Sequence, residues 1–196
     1  MTSSVDFDEL QAMNDEVYAW IEVPGTVINY AVVQSATDDL FYINHAVDKS
    51  YFSGGSIFSQ RYNTTTFQDS MTVLYGHNSR SQAMFAQLNN FADASFFEQN
   101  QSIYIYTPEK VYEYQIFAAY PHSSDHLLLC NDFNDPDQFA AYFDSLADGV
   151  NCNYRRDLFP QFGDKVLTLS TCYRQNRTQR FLVQGVLTQE YTVLKK

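Results

Sequence analysis

Val166-Leu167-Thr168-Leu169-Ser170-Thr171-Cys172, followed by the polar stretch 173–179 and then Arg180-Phe181-Leu182-Val183-Gln184-Gly185, decides how this chain is read. Branched and aromatic residues fill both runs, as extended backbone favours. The sequence therefore predicts strands over 165–172 and 181–187, joined by a polar, basic loop. Alternation with period two puts Thr168, Ser170 and Cys172 on one face and Leu167 and Leu169 on the other. With the leucines toward the core, Cys172 is aimed at a cleft.

A single cysteine is most often a small buried hydrophobe, but the surroundings of Cys172 argue for chemistry. Arg174, Arg177 and Arg180 supply 3 of the 12 basic residues, in a chain with 23 acidic ones. Positive charge favours the thiolate, which is the nucleophile, and an Arg can hold the oxyanion of an acyl intermediate. The alternative is a solvated loop whose arginines pair with surface acids. A Cys-dependent phosphatase is discounted, because only four residues separate Cys172 from Arg177 and none is Gly.

Working outward, Met71 to Tyr75 reads as a short strand that stops at Gly76-His77-Asn78. A histidine at a strand end, after a glycine, is placed to project into a cleft. His45, His122 and His126 fall in polar stretches and are read as ordinary surface residues. Residues 6–20 carry helical periodicity through Phe7, Leu10, Met13 (or Asn14) and Val17, with Asp6 and Glu9 as a capping box. Residues 81–97 read as a second helix on Met84, Phe85, Leu88 and Phe91. Further strands are expected over 26–34, 103–107 and 111–120, and a helix opening at Asp135-Pro136 with Phe139, Tyr142, Phe143 and Leu146 on its apolar stripe. Asp132, Asn134 and Asp137 lack EF-hand spacing, and that acidic turn is read as a helix cap.

Composition narrows the function. With 196 residues, 45% hydrophobic and 18% charged, the chain is expected to form one folded domain. Its 16 Phe and 15 Tyr lean toward sheet, and its net charge of −11 argues against nucleic-acid partners. Cys130, Cys152 and Cys172 are an odd number without a C-x-x-C pair, so no disulfide framework or zinc ribbon is expected. Cys130, after Leu127-Leu128-Leu129, is expected in the core. No apolar run is long enough to span a membrane.

Three motifs, in order, resemble the sortases, and within them the class B branch. Trp20 to Gln34 resembles the family's opening strand. Tyr75-Gly76-His77-Asn78 with Met84-Phe85 matches its histidine motif, and Thr168-Leu169-Ser170-Thr171-Cys172 its cysteine motif. Arg180 before Phe181 to Gly185 stands where the family's arginine stands, with Arg174 and Arg177 as neighbours that could share the role.

The resemblance covers about residues 7–190. It implies a mostly β fold with added helices: an eight-stranded β-barrel over 23–191, an N-terminal helical segment over 1–22, and a helix between late strands. It implies a cysteine transpeptidase. Cys172 would attack a Thr carbonyl in the sorting-signal peptide of a surface protein, with a motif of the Asn-Pro-x-Thr type implied by the class. His77 is acid and base, Arg180 holds peptide and oxyanion, and Ser170 and Asn78 bind substrate. An amine then resolves the thioester, from a cell-wall precursor or, in a pilin polymerase, from a Lys. No cofactor or metal is implied. The expected location is the outer face of a Gram-positive membrane, with the anchoring helix outside this sequence. A papain-type protease is disfavoured because His77 precedes Cys172, and a non-catalytic binding barrel because His, Cys and Arg occur together.

Overall fold

The computed structural model describes residues 5–149 and 151–193. Nine strands occur in the order β1 (Val17–Glu22), β2 (Asn29–Val33), β3 (Ile57–Phe58), β4 (Met71–Tyr75), β5 (Ser102–Tyr106), β6 (Lys110–His122), β7 (Asn153–Tyr154), β8 (Val166–Cys172) and β9 (Arg180–Thr192). They pair as β5-β1-β2-β3-β4-β8-β9-β6, and β6 returns to β5, so eight strands close a barrel with β7 appended to β6. Closure leaves those eight without a free edge. Among the described residues four α-helices accompany them, besides short 3-10 turns: α1 (Phe7–Met13), α2 (Ala94–Gln99), α3 (Leu127–Cys130) and α4 (Pro136–Ser145).

The barrel interior is one apolar cluster that includes Ile21, Val32, Leu74, Phe85, Ile105, Leu167, Leu169 and Val183. Each such side chain, fully buried, stabilises the fold by about 1.5–3 kcal/mol before entropy is counted. A second cluster lies under α3 and α4, where Phe133, Phe139 and Phe143 pack on Phe117 and Leu182. Asp135 caps α4 by accepting from the amides of Asp137 and Gln138, the role read from the acidic turn.

Four expectations change. The helix predicted over 6–20 ends at Met13, and the segment expected to be helical through residue 22 already contains β1. Asp6 Oδ1 does accept from Glu9 N at 2.9 Å. Asn14 then turns extended, and its amide donates to Tyr42 Oη and Val47 O, both at 2.7 Å. Beyond it a strand alternation holds: Val17, Ala19 and Ile21 are buried while Tyr18, Trp20 and Glu22 are half-buried, a period of two that overrides the helical spacing.

The helix predicted over 81–97 is interrupted because Gln82 and Met84 sit at positive φ (63° and 56°). A 3-10 helix follows at Ala86–Ala92, and α2 starts afresh on the Asp93 cap. Cys130, expected in the core, is exposed on the last turn of α3. Finally, both faces of β8 are buried: Thr168, on the face opposite the leucines, is fully buried and accepts from Gln184 Nε2 at 2.9 Å.

Candidate active site

The site is built by register. β4 and β8 run parallel, and their last partners are Tyr75 and Ser170. His77 and Cys172 each lie two residues further on, so adjacent strands deliver both to the same end of the barrel, where strand spacing is about 4.8 Å. The pairing is locked beyond the strands. Gly76 N donates to Ser170 O at 3.2 Å, and Thr171 Oγ1 donates to Gly76 O at 2.8 Å. Gly76 serves close packing: a Cβ there would stand 2.6 Å from Ile57 Cδ1 and 2.7 Å from Phe85 Cγ.

Across the other edge of β8, Cys172 is the register partner of Arg180 at the start of β9. The loop between them is closed by Tyr173 N donating to Gln179 O at 3.0 Å. Arg180 Nη1 donates to Cys172 Sγ at 3.0 Å. Arg174 and Arg177 are placed differently. Arg174 donates to Gln82 Oε1 and Ala86 O, both at 3.1 Å, and Arg177 is exposed on the loop. Of the three arginines, Arg180 is the one hydrogen-bonded to sulfur.

The backbone of Cys172 is also held. Its carbonyl accepts from Asn78 Nδ2 at 2.9 Å and from Asn89 Nδ2 at 3.3 Å, while Asn89 Oδ1 accepts from Arg174 N at 2.7 Å. Asn78, expected to bind substrate, thus has its amide engaged with the Cys172 backbone. Asn89 was not singled out in the sequence, because a buried Asn inside an apolar stripe carries no signal of its own. His77 is fixed from two sides: its ring Nε2 meets Ile43 O at 2.5 Å, and its carbonyl accepts from Phe85 N at 3.0 Å.

Cys172, His77 and Arg180 open onto a cleft of about 300 Å³. Leu40, Ile43, Phe58, Val73, Leu127 and Leu182 make its walls largely apolar, and Ser170 also lines it. Such a cleft suits an extended peptide with apolar side chains. Tyr75 also lines it; burial pushes its hydroxyl up to about 12, and the nearby Arg180 charge pulls the other way. Two histidines read as ordinary surface residues stand in this wall. His122 ends β6 opposite Arg180, and His126 Nε2 meets Gln60 Oε1 at 2.7 Å. Neither position could be foreseen without knowing that β6 lies beside β9.

Comparison with known proteins identifies the family. Residues 21–188 match the sortase domain family. The chain is 29% identical to sortase B of Listeria monocytogenes over 181 residues, 91% of this chain and 72% of that protein. Among solved structures, Clostridium perfringens sortase B superposes with a TM-score of 0.84 at 29% identity, covering 94% of this chain and all of that one. A Streptococcus pyogenes class B sortase involved in pilus biogenesis gives 0.81 at 30% identity, covering 94% and 98%. A Staphylococcus aureus sortase B–substrate complex gives 0.81 at 26% identity, covering 93% and 84%. With a matched family domain over most of its length and an eight-stranded barrel to carry it, the chain belongs to the sortase family, in its class B branch, and is a cysteine transpeptidase that anchors surface proteins.

Proposed function

We propose that Cys172 is the nucleophile, His77 the general acid and base, and Arg180 the group that steadies sulfur and then the oxyanion. The observation that carries this reading is the 3.0 Å contact from Arg180 Nη1 to Cys172 Sγ, at the strand end where His77 also emerges. The donor is the sorting-signal peptide of a surface protein, seated in the apolar cleft that Ser170 helps to line.

Sγ attacks the carbonyl carbon of a Thr in the donor, and charge collects on the carbonyl oxygen, where a guanidinium is worth most. His77 protonates the departing nitrogen, leaving a thioester on Cys172. The thioester stays reactive enough for an amine to attack, so peptide-bond energy is kept without a nucleotide. His77 then takes the proton of the incoming amine, and the acyl group leaves sulfur. Asn78 acts as a positioning residue through the Cys172 carbonyl.

The proposed acceptor is an amine of the cell wall, and the proposed setting is the outer face of the membrane. Family members belong to the Gram-positive cell envelope. Among the described residues no helix is long and apolar enough to cross a membrane.

A panel of Asn-Pro-x-Thr-type peptides incubated with the chain, with and without amine, tests the reading by product mass. Cleavage after Thr that disappears in Cys172→Ala is expected. Cleavage retained by Cys172→Ala would overturn it.

A further inference from the structure

A second cleft, of about 440 Å³, shares only His77 and Cys172 with the first. Its other walls are Asn78, Ser79, Arg80, Gln82, Arg174 and Arg177. Among the described residues no acid lines it, in a chain with 23 Asp and Glu against 12 Lys and Arg. Four cations elsewhere are paired with acids: Arg61 with Asp39, Arg155 with Glu98, Lys49 with Glu16 and Lys110 with Glu190. Among the described residues the side chains of Arg80 and Arg177 have no hydrogen-bond or ion-pair partner, and Arg174 donates only to neutral oxygens. The wall is also built rather than loose. An Asn78–Met84 bridge and the Gln82 N to Ser79 O bond at 3.1 Å tie the turn that carries Arg80.

We infer that this second cleft receives the acyl acceptor, and that the acceptor is an amine bearing a carboxylate close to its nucleophilic nitrogen. The inference rests on the transpeptidase reading above and adds the chemical class of the second substrate. The junction of the clefts is where a thioester on Cys172 would lie, so an amine in the second cleft reaches it beside His77. The nitrogen lone pair attacks the thioester carbon. A C–N bond forms, the C–S bond breaks, sulfur leaves as thiolate, and the nitrogen's proton passes to His77. Three guanidiniums repel a bare ammonium but attract a carboxylate. Their positive field also disfavours the protonated amine, raising the share able to attack.

The test gives the full chain a donor peptide and either diglycine or diglycinamide, acceptors that differ in one carboxylate. Donor cleavage without any amine reports on the transpeptidase; the ratio of ligated products reports on the cleft. A preference for diglycine of about threefold to tenfold is expected at low salt, the size of one or two exposed ion pairs. It should shrink toward equality at about 1 M salt, where screening acts within roughly 3 Å. In an Arg80→Gln/Arg177→Gln double variant with an unchanged melting temperature, the ratio should approach one. Equal ligation of both acceptors by a chain that cleaves its donor would overturn the inference alone, as would a preference that survives both high salt and the double variant. No donor cleavage at all would sink the transpeptidase reading and this inference with it.

Discussion

Two cysteines, in two regions of the molecule, show how differently the regions are built. Cys172 stands at the end of β8, where strand register and backbone hydrogen bonds place it beside Arg180. Cys152 stands in the layer that follows α4, packed against the second apolar cluster, and burial pushes its thiol up to about 11. The barrel end is fixed by backbone pairing and carries the proposed reacting groups. The helical layer is fixed by side chains, chiefly Phe133, Phe139 and Phe143, and supplies a wall of the cleft through His126 and Leu127. Side-chain packing adapts to substitution more readily than register does. Changes at the barrel end should therefore strike the chemistry, and changes in the helical layer should strike binding.

The largest effects are expected at the barrel end. Cys172→Ala should lower transpeptidation by about 10^4-fold or more, as loss of a nucleophile does. Arg180→Gln should lower kcat by about 10^2–10^3-fold, the usual cost of removing an oxyanion donor. Steady-state kinetics on the donor peptide, with melting curves as control, checks both. A loss confined to KM in Arg180→Gln would move that residue from the reaction to substrate binding.

The two thiols give the next contrast. At pH 8 a thiol titrating near 11 is about one part in a thousand thiolate, and only thiolate alkylates readily. Iodoacetamide followed by peptide mapping should label Cys152 slowest, with exposed Cys130 labelled early. Fast labelling of Cys152 would mean that its layer opens in solution.

Phe133→Ala sharpens the comparison from the other side. It removes a ring packed on Phe139, Tyr142 and Phe143, for about 3–5 kcal/mol of stability. At a temperature where the variant stays folded, donor KM should rise several-fold while kcat changes by less than about twofold. An equal fall in kcat would show that the two regions are not separable.

The smallest effect is on alkaline stability. Burial raises Tyr75 and Tyr142 to about 12. A raised folded value means that the stability is whole below the unfolded value near ~10 and is lost as pH rises through 12. Urea midpoints should therefore hold to pH 9.5 and fall beyond it, in step with tyrosinate absorbance. A flat midpoint to pH 12 would contradict the burial of these rings.

How much of this was legible in the sequence depends on whether local pattern or tertiary register decided the outcome. Met71–Tyr75 and the strand ending at Cys172 were legible because short apolar runs stop at residues of marked chemistry. Val17 was misread because three residues of α1 and one of β1 fall by chance at helical spacing, while the Tyr18-Ala19-Trp20-Ile21 alternation carried the true period. Met84 was misread because its left-handed backbone is set by the Asn78 bridge, a contact that residue type does not announce. In the site, Cys172, His77 and Arg180 carried motifs. Asn89, His122 and the Ile43 carbonyl did not, because what they contact follows from strand order.

The most direct test of the central claim is to trap the acyl-enzyme. The chain is mixed with donor peptide, quenched in acid within seconds, digested and mapped by mass spectrometry. The account predicts one thioester, on the peptide containing Cys172, that vanishes when amine is added before the quench and never forms in Cys172→Ala. Donor turnover with an acyl group on Cys130 or Cys152, or with no adduct in a chain whose Cys172 still alkylates, would contradict it.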